Sequence, residues 1–353
     1  MVTKELSGAW TALVTPMLDD GEVDWAGLAR NVEFQIDQGI VGLLPTGTTG
    51  ESPTLSWGEH NLVIEKVVEH AAGRCPVMAG TGSNSTEEAL HNTGHALENG
   101  CTYALLVDCY YNGPSSLELR REYHGFIASR LPEMKFVPYV IPGRTGCALG
   151  PEDLAILADE CPNVVGVKEA TGDLDRMAHT RSLCAPDFSI MSGDDDLTLE
   201  MMLSTAIAAD GVISVMSNVV PGAVEAMVAA AAAGDVKLAR RINEEVSPLF
   251  GLVSFKVEVQ RRVPDGRSFP VVDKFRNPLG VKTLMQGLGM NAGPPRPPLG
   301  KLTPEGLAIA RAALAQLWET APQWLEPIES AYDVSVGARL ADDRFWRDLA
   351  YTD

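Results

Sequence analysis

The chain has 353 residues, with 28 basic and 47 acidic side chains and a formal net charge of −19. Its length fits a single α/β barrel, and its charge repels phosphate groups, which argues against a nucleic-acid-binding or anionic-membrane-binding protein. A content of 45% hydrophobic and 21% charged residues excludes a disordered chain.

The N-terminal segment and the cysteines predict an unexported, cytoplasmic protein. The segment MVTKELSGAW has no apolar run of signal-peptide length. The longest candidate for a membrane span, 211–224, is interrupted by Asn218, Pro221 and Gly222. The six cysteines show no C-x-x-C spacing and are predicted to be free thiols.

Short apolar runs alternate with longer stretches of helical periodicity from residue 8 to about residue 234. Such alternation is typical of βα units around a parallel sheet. Eight runs predict an α/β protein with a (β/α)8 TIM barrel. The predicted strands are Ala9–Val14, Ile40–Pro45, Pro76–Gly80, Tyr103–Val107, Phe136–Ile141, Val164–Lys168, Phe188–Ser192 and Gly211–Val215.

Three of the intervening segments carry the same start and stop signals. Predicted helices begin after Asp24, Ser56 and Ser85, residue types that accept hydrogen bonds from the first helical turn. They end at glycines 39, 73 and 100, which adopt the left-handed conformation readily.

The alternation stops near residue 234, so the barrel is assigned to residues 1–234 and a helical region to 235–321. Amphipathic helices are predicted over 235–262, 273–288 and 303–320, the last two joined by the proline-rich segment 293–300. The extension 322–353 could pack on the barrel or on a neighbouring subunit.

Lysine 168 is the most informative residue of the predicted barrel mouth, where the carboxyl ends of the strands meet. It closes the apolar run Val164–Lys168, whereas Lys135 lies at the opposite end of its strand. An amine held among apolar side chains loses its charge more easily and can attack a carbonyl carbon. The alternative is a strand-ending lysine with a solvated head group.

Neighbouring strand ends supply groups that match such a nucleophile. Tyr139 could transfer protons as a general acid and base, or could be an ordinary core tyrosine. The loop TGTTGE, 46–51, presents hydroxyls and backbone amides suited to a small carboxylate, although a tight turn would have the same composition. Arg144 could bind a second carboxylate or form a surface ion pair.

Metal sites are poorly supported, and no metal or cofactor is predicted. His91 and His95 have the spacing of a helical zinc pair, but the sequence shows no third ligand. The acidic run 194–196 could hold magnesium, although acidic residues at a helix start more often complement the helix dipole.

Several stretches together resemble the dihydrodipicolinate synthase and N-acetylneuraminate lyase superfamily of class I aldolases. They occur in the family order and cover about residues 7–320. They are TALVTPM (11–17), GTTGES (47–52), AGTGSNST (79–86), CYYNGPS (109–115), IPGRTGC (141–147), VGVKEATGDL (165–174), SGDD (192–195) and GVISV (211–215).

The resemblance implies a Schiff base between Lys168 and pyruvate. It also implies that Thr48 and Thr49 hold the pyruvate carboxylate. Tyr139, Thr48 and Tyr111 would then form a proton relay, with Tyr111 supplied by the adjacent subunit of a tight dimer.

The resemblance is strongest to the synthase branch, which carries the paired tyrosines and the PGRTG arginine. That branch condenses pyruvate with L-aspartate 4-semialdehyde to give 4-hydroxy-tetrahydrodipicolinate in lysine and diaminopimelate biosynthesis. Arg144 would bind the carboxylate of the aldehyde, while Gly193 and the Ile213 carbonyl would line the pocket. A homotetramer built as a dimer of dimers is the implied assembly.

The resemblance also implies a lysine effector site, and the sequence departs from the family pattern at two positions. Val140 replaces an asparagine of many synthases, and Trp57 stands where lysine-inhibited synthases tend to carry a basic residue. The effector site would comprise Ser52, His60, Asn84, Glu88 and Tyr110.

Two other functions remain open at the level of sequence. One is a sister aldolase or dehydratase acting on a 2-keto-3-deoxy sugar acid, or an enzyme like N-acetylneuraminate lyase, since such enzymes share the lysine, the strand tyrosine and the GTTGE loop. The other is a non-catalytic barrel with a binding role.

Overall fold

The structure is a computed structural model that describes residues 4–352. Eight parallel strands form the central sheet in the order β2-β1-β8-β7-β6-β5-β4-β3. An isolated parallel bridge between Leu43 and Val77 joins the two outer strands and closes the barrel. The strands are β1 Gly8–Ala12, β2 Gly42–Leu44, β3 Met78–Gly80, β4 Tyr103–Val107, β5 Lys135–Val140, β6 Gly166–Glu169, β7 Ser189–Ser192 and β8 Gly211–Ser214.

All eight predicted strands are confirmed, and so is the TIM barrel. Helices α1 to α10 follow the strands and cover the outside of the sheet. Their bounds are α1 Trp25–Asp37, α2 Trp57–Ala71, α3 Thr86–Glu98, α4 Ser116–Glu118, α5 Gly125–Arg130, α6 Pro142–Thr145, α7 Pro151–Glu160, α8 Leu174–Leu183, α9 Thr198–Leu203 and α10 Pro221–Ala232, with a π-helical segment Leu119–His124 before α5.

The predicted capping signals act as expected in the first three long helices. Asp24, Ser56 and Ser85 accept hydrogen bonds from backbone amides of the first turns of α1, α2 and α3. The glycines that follow these helices have positive φ angles of 79°, 72° and 94°. The chain can therefore turn sharply into the next strand.

The prediction of a helix over 235–262 is wrong beyond residue 250. Helix α11 covers Val236–Phe250 and is followed by an antiparallel hairpin of β9 Ser254–Arg262 and β10 Ser268–Arg276. The signals of a hairpin are present: apolar residues alternate at 255, 257 and 259, and Pro-Asp-Gly occupies the turn at 264–266. Apolar residues that recur at every second position lie on one face of a strand and cannot form one face of a helix.

The second predicted helix of this region begins later than residue 273, because β10 occupies residues up to 276. The remaining helices are α12 Leu279–Leu288, α13 Pro304–Thr320, α14 Glu326–Tyr332 and α15 Val336–Ala341, with short 3-10 turns Pro322–Trp324, Asp343–Phe345 and Arg347–Leu349.

The C-terminal extension packs on the same chain. The Tyr332 hydroxyl donates to Asn31 Oδ1 of α1 at 2.8 Å. Trp346 is fully buried against Gly287 of α12, where an added Cβ would overlap the indole. These contacts attach the extension both to the barrel and to the helices that precede it.

Two layers of buried side chains surround the strands. Val137 and Tyr139 of β5 belong to the interior of the barrel, whereas Phe136 and Val140 belong to the layer between strands and helices. This alternation is the period of a β-strand. Val140, one of the departures from the family pattern, therefore faces away from the barrel interior.

Within residues 4–352 no helix is both long enough and apolar enough to cross a bilayer. The six cysteines are free thiols in the structure, as predicted.

Candidate active site

Lys168 and Tyr139 lie side by side near the carboxyl ends of β6 and β5. They are paired in register between the two strands. Lys168 Nζ is 4.4 Å from the centroid of the Tyr139 ring. Strand pairing therefore places an amine and a phenol at the same point of the barrel mouth.

Burial controls the ionisation of Lys168. The residue is only 4% exposed. Loss of solvation lowers the pKa of its amine to about 8, although the Asp195 and Asp194 carboxylates favour the charged form. A useful fraction of neutral amine is then present near neutral pH, as a nucleophile requires.

The phenol of Tyr139 has the opposite shift. Burial raises its pKa above the ordinary value, while Arg144 and the side chain of Thr48 oppose that rise. Tyr139 is therefore protonated near neutral pH and can donate a proton to a bound oxygen.

The loop after β7 closes the site from the side of Lys168. A Cβ on Gly193 would lie 3.1 Å from Lys168 Cε and 2.7 Å from the Ala170 Cβ, so only glycine leaves room for the lysine. Asp195 accepts a hydrogen bond from Ser214 and from the Val215 amide, at 3.0 Å for the amide. These bonds hold the β7 and β8 loops together.

Asp194, unlike Asp195, lines the cavity. Burial and the neighbouring Asp196 raise the pKa of its carboxyl to about 6. Asp195 accepts from the amides of Val215 and Met216, and both aspartates favour the charged form of Lys168. The predicted role as a helix cap is not found, because no side chain of the run caps the helix that begins at Thr198.

The TGTTGE loop is a strained and tightly bonded turn. Thr46 and Glu51 have positive φ angles of 55° and 58°. The Thr49 hydroxyl accepts a hydrogen bond from Asn277 Nδ2 at 2.9 Å. Thr48 and Thr49 both line the cavity that contains Lys168.

Arg144, on α6, lines the same cavity as this loop. Its Nη2 donates to the backbone carbonyl of Asn277 at 2.9 Å. It lines the Lys168 cavity and also an adjoining cavity next to Tyr110. The arginine is thus held by a backbone carbonyl and keeps donors available for an anion.

Two connected cavities form the barrel mouth. The cavity of about 190 Å³ contains Lys168, Tyr139, both threonines, Arg144 and Gly193. The adjoining cavity, about 210 Å³, shares Thr48, Tyr139 and Arg144 and extends toward Tyr110. Most residues that the sequence singled out are therefore brought together at one site.

Tyr111 and Ile213 lie outside these cavities in the single chain. Tyr111 is 94% exposed and has a φ angle of 74°. Ile213 is fully buried among the side chains of the barrel interior, and Val215, two residues later, lines the cavity.

The five residues of the predicted effector site occupy neighbouring positions beside this mouth. Ser52 and Tyr110 line the adjoining cavity, and Asn84 Oδ1 accepts a hydrogen bond from the Tyr110 amide at 2.8 Å. His60 is buried with its Nε2 3.1 Å from the Gly80 carbonyl, and Glu88 accepts from the Ser83 hydroxyl at 2.6 Å.

Trp57, the departure in this region, is half exposed and packs edge-to-face on His60, with ring centroids 5.9 Å apart. Together with Glu88 it lines a separate surface cavity. The assignment of a lysine site here stays a prediction.

Asn277 is the functional residue that the sequence analysis missed. It joins Thr49 through its side chain and Arg144 through its carbonyl. It directly follows β10, a strand that was predicted as part of a helix, so its approach to the barrel mouth was hidden. Ser254 and Arg276 of the same hairpin also line the Lys168 cavity.

Among residues 4–352 no cluster of three or more histidine, cysteine, aspartate or glutamate side chains is arranged to hold a metal ion. His95 Nε2 lies 2.9 Å from Glu65 Oε1, and His91 is exposed on α3.

Comparisons with known proteins identify the family. The model of the dihydrodipicolinate synthetase family matches residues 5–262. A 4-hydroxy-tetrahydrodipicolinate synthase from Nitratidesulfovibrio vulgaris (strain DP4) is 46% identical over 245 residues, which are 69% of this chain and 82% of that protein. Another from Methanothrix thermoacetophila is 39% identical over 311 residues, 88% of this chain and 96% of that protein.

The fold gives the same result. The crystal structure of dihydrodipicolinate synthase from Aquifex aeolicus superposes with a TM-score of 0.79 at 38% identity, covering 88% of this chain and 98% of that one. The family model covers well over half of the sequence, and the barrel strands that carry the site lie within it. The chain belongs to the dihydrodipicolinate synthetase family.

Proposed function

We propose that this protein condenses pyruvate, bound as a Schiff base on Lys168, with L-aspartate 4-semialdehyde to give 4-hydroxy-tetrahydrodipicolinate. The observation that carries the proposal is the pair formed by buried Lys168 and Tyr139, which are adjacent across two strands. The relatives named above are synthases of this product.

The neutral Lys168 amine attacks the keto carbon of pyruvate, and loss of water leaves an iminium ion. The iminium withdraws electrons from the adjacent methyl group, so that loss of a proton gives an enamine. The enamine carbon then adds to the aldehyde carbon, which regenerates the iminium. The amino group of the aldehyde substrate attacks the iminium carbon and closes the ring, and Lys168 leaves as the restored amine. The iminium is the electron sink, so these steps use neither a metal nor an organic cofactor.

Tyr139 is the proposed proton donor and acceptor for the carbinolamine. Its buried phenol is protonated near neutral pH and lies against the lysine. Thr48 is the proposed next member of the relay, and Thr49 is proposed to bind the pyruvate carboxylate with the amides of its loop. Gly193 leaves the space in which Lys168 reaches the substrate.

Arg144 is the proposed anchor for the carboxylate of the aldehyde substrate. It lines the same cavity as Lys168 and is held there by its bond to the carbonyl of Asn277. An arginine can bind a carboxylate through two parallel hydrogen bonds and thereby orient it.

Tyr111 is proposed to complete the relay from a neighbouring subunit, because in the single chain its side chain is almost wholly exposed. A homo-oligomer, with a tetramer built as a dimer of dimers, is part of the proposal.

The proposal is tested by trapping the Schiff base. After incubation with pyruvate and borohydride, peptide mapping is expected to place a single adduct on Lys168. The Lys168→Met variant should form no adduct, whereas Lys135→Met, which removes the exposed lysine at the other end of β5, should retain it. An adduct on another lysine would contradict the mechanism.

Turnover distinguishes the synthase from its sister enzymes. The protein is expected to consume pyruvate with aspartate semialdehyde and to leave a panel of 2-keto-3-deoxy sugar acids uncleaved. Trapping at Lys168 combined with cleavage of a sugar acid, and no reaction with aspartate semialdehyde, would assign the site to the sister activity.

A further inference from the structure

The β9–β10 hairpin differs in charge from the rest of the chain. Residues 254–276 carry six basic and three acidic side chains, within a chain whose net charge is −19. Both strands are largely exposed, and the match to the family model ends at residue 262, inside the hairpin. The hairpin is therefore a segment of net positive charge that the family match covers only in part.

Arg276, the last residue of the hairpin, reaches the Lys168 cavity. It lines that cavity together with Arg144. Its Nη1 donates to the backbone carbonyl of Gly143 at 2.9 Å. Arg144 makes the reciprocal bond, from Nη2 to the carbonyl of Asn277. Each arginine is thus held by the segment that carries the other.

The two arginines line the same cavity, and among residues 4–352 neither forms an ion pair. Lost solvation lowers the pKa of Arg144, Tyr139 opposes that shift, and the charge of Arg276 adds a smaller lowering. In the part of the chain that the structure describes, neither group has a carboxylate within 4.0 Å. Arg276 is exposed to solvent yet lines the cavity beside Arg144, so an anion in that cavity can bind donors of both guanidinium groups.

We propose that Arg276 is a second anion-binding residue, which together with Arg144 binds the carboxylate of the acceptor aldehyde. The inference rests on the proposed function and extends it to acceptor selectivity. A neutral hydroxyaldehyde, which lacks a carboxylate, gains nothing from two guanidinium groups. The hairpin thus contributes to the choice of an anionic acceptor.

The test compares Arg276→Gln with the wild type. The KM for aspartate semialdehyde is expected to rise about ten-fold or more, the scale of a lost charge-assisted hydrogen bond. The KM for pyruvate and the yield of the Lys168 adduct should not change. The KM of Arg276→Lys for aspartate semialdehyde should fall between those of the wild type and Arg276→Gln, because lysine keeps the charge and loses the paired donors.

Arg267→Gln is the matched control, since Arg267 lies at the far end of the same hairpin and pairs with Asp265. It should leave both KM values unchanged. The KM for the aldehyde in the wild type should also increase more steeply with salt than in Arg276→Gln, because one attractive charge is missing from the variant.

Two results would overturn the inference. One is an unchanged KM for aspartate semialdehyde in Arg276→Gln. The other is an equal loss of the Lys168 adduct, which would mean that the arginine only ties the hairpin to the β5 loop. A wild type that traps pyruvate but does not use aspartate semialdehyde would instead contradict the proposed function itself.

Discussion

At the scale of single residues, Lys168 and Lys282 show how partners decide the role of a buried amine. Both are buried, at 4% and 0% exposure. Lys282 donates to the Glu51 carboxylate and to the carbonyl of Thr15. Lys168 instead lies against the Tyr139 ring, with aspartates acting on it only as neighbours. The Lys282 amine is held by a carboxylate as a structural group, whereas the Lys168 amine is available for reaction.

The lowered pKa of Lys168 predicts the pH dependence of Schiff-base formation. Only the neutral amine attacks, and the folded-state pKa is about 8. The rate of trapping with pyruvate and borohydride should therefore increase as pH rises, by about five-fold from pH 7 to pH 8, and level off above about pH 9. Rapid-quench sampling across this range measures it.

Tyr139 should add no second step to this profile below pH 9, because burial raises its pKa above the ordinary value of the phenol. A trapping rate that is independent of pH between 7 and 9 would show that Lys168 is either already neutral or fully charged throughout, and would contradict the predicted ionisation.

At the scale of elements, the β2 loop and helix α12 are joined by a buried ion pair. Glu51 lies in the TGTTGE loop and Lys282 in α12, 231 residues apart in sequence. Glu51 also accepts from the Arg296 amide at 2.8 Å. Asn277, two residues before α12, binds Thr49 in the same loop. The C-terminal region therefore holds the loop proposed to bind pyruvate.

Removing one member of this ion pair should lower the free energy of unfolding more than neutralising both members does. Lys282→Met leaves the Glu51 charge buried without its partner and should lower the free energy of unfolding by about 3–5 kcal/mol. The double variant Lys282→Met with Glu51→Gln should recover most of that loss, because no buried charge remains. Urea denaturation followed by circular dichroism measures both.

Lys66→Met is the control for this comparison, since Lys66 forms an exposed pair with Glu69 and its loss should leave stability unchanged. A double variant as unstable as the single one would mean that packing of the lysine stem, and not the unpaired charge, controls the stability of this contact.

At the scale of the whole molecule, the proposed proton relay is incomplete within one chain. Lys168, Tyr139 and Thr48 meet in one cavity, but Tyr111 is exposed on the β4 loop. Its φ angle of 74° is unfavourable for a tyrosine, and such strain persists where the surroundings or the function require it. A second copy of the chain that receives this side chain would explain both features.

Mixing two inactive variants tests this arrangement. Lys168→Met and Tyr111→Phe should each have little activity alone. After denaturation and refolding together, hybrid dimers should contain one intact site, giving about one quarter of the wild-type activity for random pairing. Refolding each variant separately is the control. No recovery in the mixture, with hybrids shown by mass spectrometry, would place Tyr111 and Lys168 of the same chain in one site.

The overall charge gives the arginines of the mouth a particular importance. A chain with a net charge of −19 repels small carboxylates at long range. The proposed substrates are both carboxylates, so attraction has to be local. Arg144 and Arg276, which line the cavity, and the amides of the TGTTGE loop are the groups proposed to provide it at short range.

The sequence by itself determined the barrel and the position of Lys168 at its mouth, because both depend on local pattern. Val164–Lys168 reads as a buried strand ending in an amine, and the caps at Asp24, Ser56 and Ser85 act within one turn of their helices. Each signal lies within a few residues and can therefore be recognised in a single sequence.

Tertiary structure alone decided how distant segments complete the site. The contacts of Asn277 with Thr49 and Arg144, and the pairing of Lys282 with Glu51, join residues more than 100 positions apart. Such contacts depend on the packing of the whole chain, because the neighbours of a residue in sequence do not determine which distant side chain it will contact.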